Sequence, residues 1–397
     1  MGQDSISISD FLDQSKFQES VIFQNKKINH LKDISGKMPI VEKLEFRTET
    51  NDFDIRKQEY LLRVSPNSIK NIKTQGQYRE TVLHMANMEM ELEWSKAIRD
   101  RYQILIDYIH NKKILLAKRK QQILFNDKLT LMKRSITLKD FDILDLIEAE
   151  DEQLENQRTI LDLQNSIQTI QNTIDRMNNS SFPIKLEDEQ LLEVGDIKAM
   201  INEPMQGALA KHTELEVLSA RFYSYMLEYE WEDAKSKFSL GYIQTKYGYD
   251  PNDNFKKSFS IGVGFDIPLK NPAHLKLSEL EIKILASESQ YRNAKNQLID
   301  NIFKLQQQLN NLIKKYELID QHLNTSIAEF ALNKFSELTE ASPKAMLKLR
   351  ENTLRKELLL EELEMEIFKT FIEYLDKTGL LTQRPFKNYL SKALVEF

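Results

Sequence analysis

The chain has 397 residues with only 10 glycines and 9 prolines, less than half the usual share of roughly 12%, so a loop-rich globular fold is excluded in favour of long helices. Its 55 Lys and Arg stand against 61 Asp and Glu, a net charge of −6, which argues against a nucleic-acid partner. It contains no cysteine, hence no disulfide, thiolate metal site or thiol nucleophile, and no run of about 20 apolar residues that could form a membrane-spanning α-helix.

The first residues, Met1-Gly2-Gln3-Asp4-Ser5, have no basic stretch leading into an apolar core. The given sequence therefore reads as either a cytoplasmic protein or an exported one in its mature form. After a short N-terminal helix, Ile40–Ser65 alternates. Ile40, Leu44 and Phe46 share a face with Glu42 and Thr48, opposite Lys43, Glu45, Arg47 and Glu49. Asn51-Asp52-Phe53-Asp54 supplies a turn, and Tyr60, Leu62 and Val64 return on the apolar side. Period-two patterning around a turn cluster predicts a β-hairpin.

Helical periodicity then runs from Ser68 to Arg134 with no proline and one glycine, Gly76, and resumes over 139–177. Shorter helices are expected over Leu186–Ile201 and 208–236, separated by the Pro204–Gly207 break. A second hairpin has arms of ten residues. In Phe238–Tyr247, Phe238, Leu240 and Tyr242 alternate with Ser239 and Gly241; in Ser258–Ile267, Phe259, Ile261, Val263, Phe265 and Ile267 alternate with serine, glycine and Asp266. Two further long helices are expected over 273–334 and 343–377. These are several times the average length of about 11–12 residues, so they must support one another as coiled coils.

The order of elements repeats. Pro66 and Pro268, which close the two hairpins, are 202 residues apart, and Ser135 and Ser336, in the polar breaks after the long helices, are 201 apart. The chain divides into a first repeat over 1–185, a second over 186–377 and a C-terminal tail over 378–397. Such self-similarity implies duplicated halves of one structure. Each hairpin has one apolar and one polar face and arms of about 9–11 residues, the length and dyad pattern of strands in a transmembrane β-barrel. Four strands per chain cannot close a barrel with a lumen, but strands pooled from several chains can, which removes every edge. The alternative is a soluble coiled-coil scaffold or adaptor with a small β domain.

The run Ser-Phe-Ser-Ile-Gly-Val-Gly-Phe-Asp-Ile-Pro-Leu over Ser258–Leu269 resembles the strand and Pro-Leu signature of TolC-like outer-membrane efflux proteins, and Leu275–Ala294 resembles the helix that follows it there. The duplicated order of elements matches over nearly the whole chain. This resemblance implies a mainly α fold with a small β part: long antiparallel coiled-coil helices and two hairpins, assembled as a homotrimeric α/β-barrel tunnel in the outer membrane and periplasm. It also implies the exit duct of a tripartite efflux pump or type I secretion system. Transport would be passive, driven by an inner-membrane transporter joined through a periplasmic adaptor protein, with no enzymatic activity and no cofactor.

On that reading Phe238, Leu240, Tyr242, Phe259, Ile261, Val263 and Phe265, with Tyr60, Leu62 and Val64, meet outer-membrane lipid. The helix–turn–helix tips would constrict the pore and meet the adaptor. The first tip carries Asp140, Asp142 and Asp145, in a stretch that resembles the family's Asp-x-Leu-Asp pattern. Asp142 and Asp145 share a helix face, so three copies would stack carboxylate rings; the same acids also suit a helix start, with Ser135 or Thr137 as its cap. The second tip departs from the pattern by carrying Lys344, Lys348 and Arg350, which points to a mixed-charge aperture. Leu138, Leu144, Leu338 and Leu347 are candidate adaptor contacts. The six histidines are dispersed without metal-ligand spacing, and neither a phosphate loop nor a nucleophile elbow is present.

Overall fold

A computed structural model describes residues 6–33, 40–50, 58–136, 142–178, 191–202, 212–235, 239–248, 259–266, 274–325 and 343–397. Two short N-terminal helices, α1 (Ile8–Asp13) and α2 (Glu19–Asp33), precede strands β1 (Val41–Thr50) and β2 (Gln58–Pro66). The helix α3 (Ile69–Arg134) runs for 66 residues and is followed by α4 (Ile143–Asn178), α5 (Val194–Asn202) and α6 (Thr213–Lys235). Strands β3 (Ser239–Gly248) and β4 (Phe259–Asp266), then α7 (His274–Asn324) and α8 (Pro343–Lys377), complete the order. Among the described residues no helix is long and apolar enough to cross a membrane.

The helix ends follow local chemistry. Pro66 ends β2, and two residues later Ser68 Oγ accepts a hydrogen bond from Asn71 N–H, starting α3. Asp142 does the same for α4, its Oδ1 accepting from Leu144 N–H at 2.9 Å. The sequence offered Ser135 and Thr137 as that cap; Ser135 instead donates its hydroxyl to Leu131 O at the end of α3, and Thr137 lies outside the described residues. At the far end of α8, Gly379 takes a φ of 75°, the left-handed conformation that closes a helix most cheaply with glycine.

The chain divides into two compact units, each drawing on both sequence repeats. The unit formed by 1–22, 92–212 and 297–397 holds the main hydrophobic core. Phe11 of α1, Tyr102 and Leu105 of α3, Ile174 of α4, Ile197 of α5, Leu309 of α7 and Phe371 of α8 are all fully buried there. The segment set apart as a C-terminal tail belongs to this core. Leu381 and Leu390 are buried in it, and Leu192 N–H donates to Leu390 O at 2.9 Å. Tyr102 Oη donates to Lys387 O at 2.9 Å and accepts from Tyr389 N–H at 3.0 Å.

Arg101, one residue away, is 2% exposed and gathers the backbone around it. It donates to the carbonyls of Phe11 (2.6 Å), Met177 (3.1 Å) and Gln14 (3.3 Å) and to Asn178 Oδ1 (3.3 Å). Trp94 packs on Phe386 at 4.6 Å between ring centroids and donates its indole N–H to Ser15 Oγ. In the other unit, formed by 23–91 and 213–296, the four strands make one antiparallel sheet in the order β1-β2-β3-β4, so the two hairpins join through β2 and β3.

Candidate functional site

The strand register decides which side chains share a face. Leu44, Phe46 and Thr48 of β1 pair with Val64, Leu62 and Tyr60 of β2. Those residues pair with Ile243, Thr245 and Tyr247 of β3, which in turn oppose Val263, Ile261 and Phe259 of β4. Cross-strand partners lie on one side of a sheet, so these residues and Phe265 with its partner Leu240 form a single apolar face. That face is open: Phe46 is 66% exposed, Ile261 68% and Val263 53%. Phe259, Tyr60, Leu62 and Leu240 are exposed as well, and Val64 is half-buried. Phe46 and Tyr60 stack across it at 6.3 Å.

The opposite face is polar and internally paired. Glu45 gathers Arg47 at 2.9 Å and Lys43 and Arg63 at 3.7 Å. Lys246 pairs with Glu59 at 2.5 Å, and Arg63 Nη2 donates to Gln244 Oε1 at 3.0 Å. A sheet greasy on one side and charged on the other has the two-solvent pattern of a barrel wall. Its outer strands β1 and β4 have no strand beyond them among the described residues.

The register corrects one expectation. Tyr242 is not on the apolar face. The pairing shifts between Leu240 and Tyr242, a β-bulge that turns the following residues over. Tyr242 therefore lies opposite Gly264, on the polar side, and the Arg63 guanidinium sits 4.2 Å above its ring. Ile243, 42% exposed, takes the place expected for Tyr242. Tyr242 and Ile243 are consecutive apolar residues, but so are Leu61 and Leu62 in the regular register of β2, so alternation alone does not locate the inserted residue. Phe238 lies outside the described residues.

At the start of α4 the two acids have different partners. Asp142 caps the helix as described above, while Asp145 accepts a hydrogen bond from Lys344 Nζ of α8 at 2.9 Å. That bond and the charge of Lys344 hold the Asp145 carboxyl below its usual range. Lys348 is exposed one turn further along α8. Leu144 is 68% exposed, Leu347 is half-buried, and the neighbouring packing is done by Leu129, Leu146 and Ala149. Asp140, Leu138 and Leu338 lie outside the described residues.

Neither protein-family models nor curated proteins match the sequence, but solved structures match the fold over 94% of the chain. CusC, studied for the conformational changes that accompany folding and transmembrane channel formation, aligns over 92% of its own length with a TM-score of 0.69 and 11% identity. The open state of the Neisseria gonorrhoeae MtrE outer membrane channel aligns over 88% with a TM-score of 0.70 and 9% identity. The Vibrio cholerae outer membrane protein VceC aligns over 96% at 0.67 and 13%. The fold is TolC-like. A TolC-like fold accommodates long helices beside a small antiparallel sheet in one chain, which is the combination seen here. At 9–13% identity the likeness is one of fold alone.

Proposed function

We propose that this chain is one subunit of a TolC-like outer-membrane channel, the passive exit duct of a tripartite efflux pump or type I secretion system. The observation that carries the reading is the open apolar face of the β1-β2-β3-β4 sheet, in which Ile261, Val263 and Phe265 are more than half exposed. A monomeric soluble protein rarely leaves so continuous a patch in water, and a sheet whose edge strands β1 and β4 have no neighbouring strand among the described residues invites pairing with other chains. Three copies would join β4 of one chain to β1 of the next in a twelve-stranded barrel. The apolar side would then contact lipid, and Arg63, Gln244 and Lys246 would line water.

The helices would continue into the periplasm as the tunnel. Its tips would meet a periplasmic adaptor through Leu144 and Leu347, and Asp142, Asp145, Lys344 and Lys348 would form a mixed-charge aperture. An inner-membrane transporter would supply the energy, and no catalytic step is assigned to the duct. The relatives in fold are described as outer membrane channels or proteins, which supports outer-membrane placement.

The test is extraction and reconstitution. The full chain should leave membranes only in detergent, run as three chains by mass, and conduct ions in planar bilayers. A stable monomer that stays dispersed without detergent would favour the soluble scaffold instead.

A further inference from the structure

Within the helical unit, α3 and α8 meet through a cluster that neither the core nor the proposed channel uses. His110 is 3% exposed, and its Nδ1 faces Glu361 Oε2 from 3.6 Å, beyond a normal hydrogen bond. That imidazole nitrogen has no hydrogen-bond partner among the described residues. The imidazole rests against Phe368, 5.8 Å between ring centroids. Lys113, one turn on from His110, reaches the same acids: its Nζ lies 3.0 Å from Glu364 and 3.4 Å from Glu361. The ligand-capable atoms of His110, Glu361 and Glu364 all lie within 4.8 Å of one another.

We propose that His110, Glu361 and Glu364 form a binding site for a divalent transition-metal ion of the zinc type, which enters where the Lys113 ammonium now sits between the two carboxylates. The donor set decides the class. One imidazole nitrogen with two carboxylates and a water suits a tetrahedral zinc-like ion, whereas calcium and magnesium favour all-oxygen shells. The three donors come from rigid helices. Glu361 and Glu364 are three apart and share one face of α8, and the buried ring needs only a small shift to bring its free nitrogen onto an ion. Lys113 is the mobile member, a side chain 34% exposed whose long stem lets the ammonium move out to water. A bound ion then replaces a half-made polar contact with bonds that tie α3 to α8, and it stabilises the folded chain by mass action. The site does not depend on the channel reading.

The experiment is titration of the detergent-purified full chain, stripped with a chelator, with zinc alone, followed by calorimetry and by competition with a chromogenic chelator. One ion per chain is expected. H110N, E361Q and E364Q should each weaken binding at least about tenfold, which is about 1.4 kcal/mol. H84N, which alters an exposed histidine of α3 far along the sequence, should leave binding unchanged. K113Q keeps all three ligands and removes the competing cation, so it should bind more tightly, a gain that misfolding cannot imitate. Cobalt in place of zinc should give tetrahedral absorption bands in the parent and in K113Q but not in E364Q. Absence of saturable binding at one ion per chain, a folded K113Q that binds no tighter, or an H110N variant that binds as well as the parent would overturn the proposal.

Discussion

The guanidinium of Arg63 lies 4.2 Å above the ring of Tyr242, and the two meet only because the bulge in β3 turns Tyr242 to the polar side of the sheet. The ring has room there because its partner, Gly264, has no side chain: a Cβ at 264 would overlap the Tyr242 ring. At Gly262 a Cβ would meet the end of the flexible Gln244 side chain at 3.1 Å. G264A should therefore cost about 1–3 kcal/mol more than G262A, as overpacking against a fixed ring does. The double variant G264A/Y242S should recover most of that loss in a thermal-melting cycle. Equal melting temperatures for G264A and G262A would show that Tyr242 is free to move.

At the tip, Asp142 and Asp145 should separate by function. D142A removes the cap of α4 and should lower helical stability by about 0.5–2 kcal/mol, with D142N close to the parent. D145A releases Lys344 and should alter single-channel conductance or cation preference if the aperture is charged on both sides. The Asp145 carboxyl is held low by Lys344, so its contact contributes at neutral pH and is lost as pH falls below the ordinary aspartate range near 4. Conductance and ion preference identical to the parent in D145A would remove the residue from the aperture.

Arg101 and Tyr102 hold the N-terminal helix and the chain's end in the core. Burial pushes the Arg101 guanidinium down to about 10, so it stays charged at neutral pH while giving its hydrogen bonds to backbone carbonyls. R101A strips three carbonyls of their donor, at about 1–3 kcal/mol for each that stays dry. R101K should recover only part of the loss, because an ammonium cannot fork between separated acceptors. Y102F should cost about 1–3 kcal/mol for each of Lys387 O and Tyr389 N–H that stays buried and unpaired.

Burial also raises the phenols of Tyr374 and Tyr389. Their contribution to stability is complete below the unfolded value near 10 and lost as pH rises through the higher folded value. Alkaline unfolding should begin above pH ~10, and Y389F should move it upward. Denaturation curves that do not respond to these changes would show that the C-terminal segment is not integral to the core.

Much of this architecture was legible in the residues because the patterns are long. The α3 helix was expected over 68–134 and spans Ile69–Arg134, since 66 residues without proline leave the backbone little alternative. The hairpins were legible for the same reason, and Leu44, Phe46, Leu62 and Val64 share the expected face. What failed was local or long-range. The bulge at Gly241 was hidden because alternation reports which face a residue takes only while the count of residues stays in step. The burial of Leu390 and Tyr389 was hidden because the last 20 residues lack any period and are ordered by contacts with residues far away in sequence. The meeting of Asp145 with Lys344, 199 residues apart, likewise depends on how α4 and α8 pack, which neither helix's own pattern records.

A charge on the apolar face separates lipid from water. Ile261 is 68% exposed, so in a soluble protein I261K should fall within about 0.5 kcal/mol of the parent. Against lipid near the bilayer middle, lysine costs about 2–4 kcal/mol, and I261K should assemble poorly. S260E, next in sequence and opposite Lys246, should be tolerated. Comparable assembly of I261K and S260E in membranes would place water on both sides of the sheet.

The central claim is that β1 of one copy pairs with β4 of another, and the absence of native cysteine makes a direct test available. Within one chain β1 and β4 are separated by two intervening strands, roughly 14 Å at ~4.8 Å per strand, well beyond the reach of a disulfide. The measurement is oxidation, in intact membranes, of double-cysteine variants that pair Thr48→Cys on β1 with single cysteines placed in turn at Phe259, Ile261, Val263 and Phe265. At one register the chains should link into covalent species of up to three subunits. If every pairing leaves only single chains, the barrel shared between copies is contradicted.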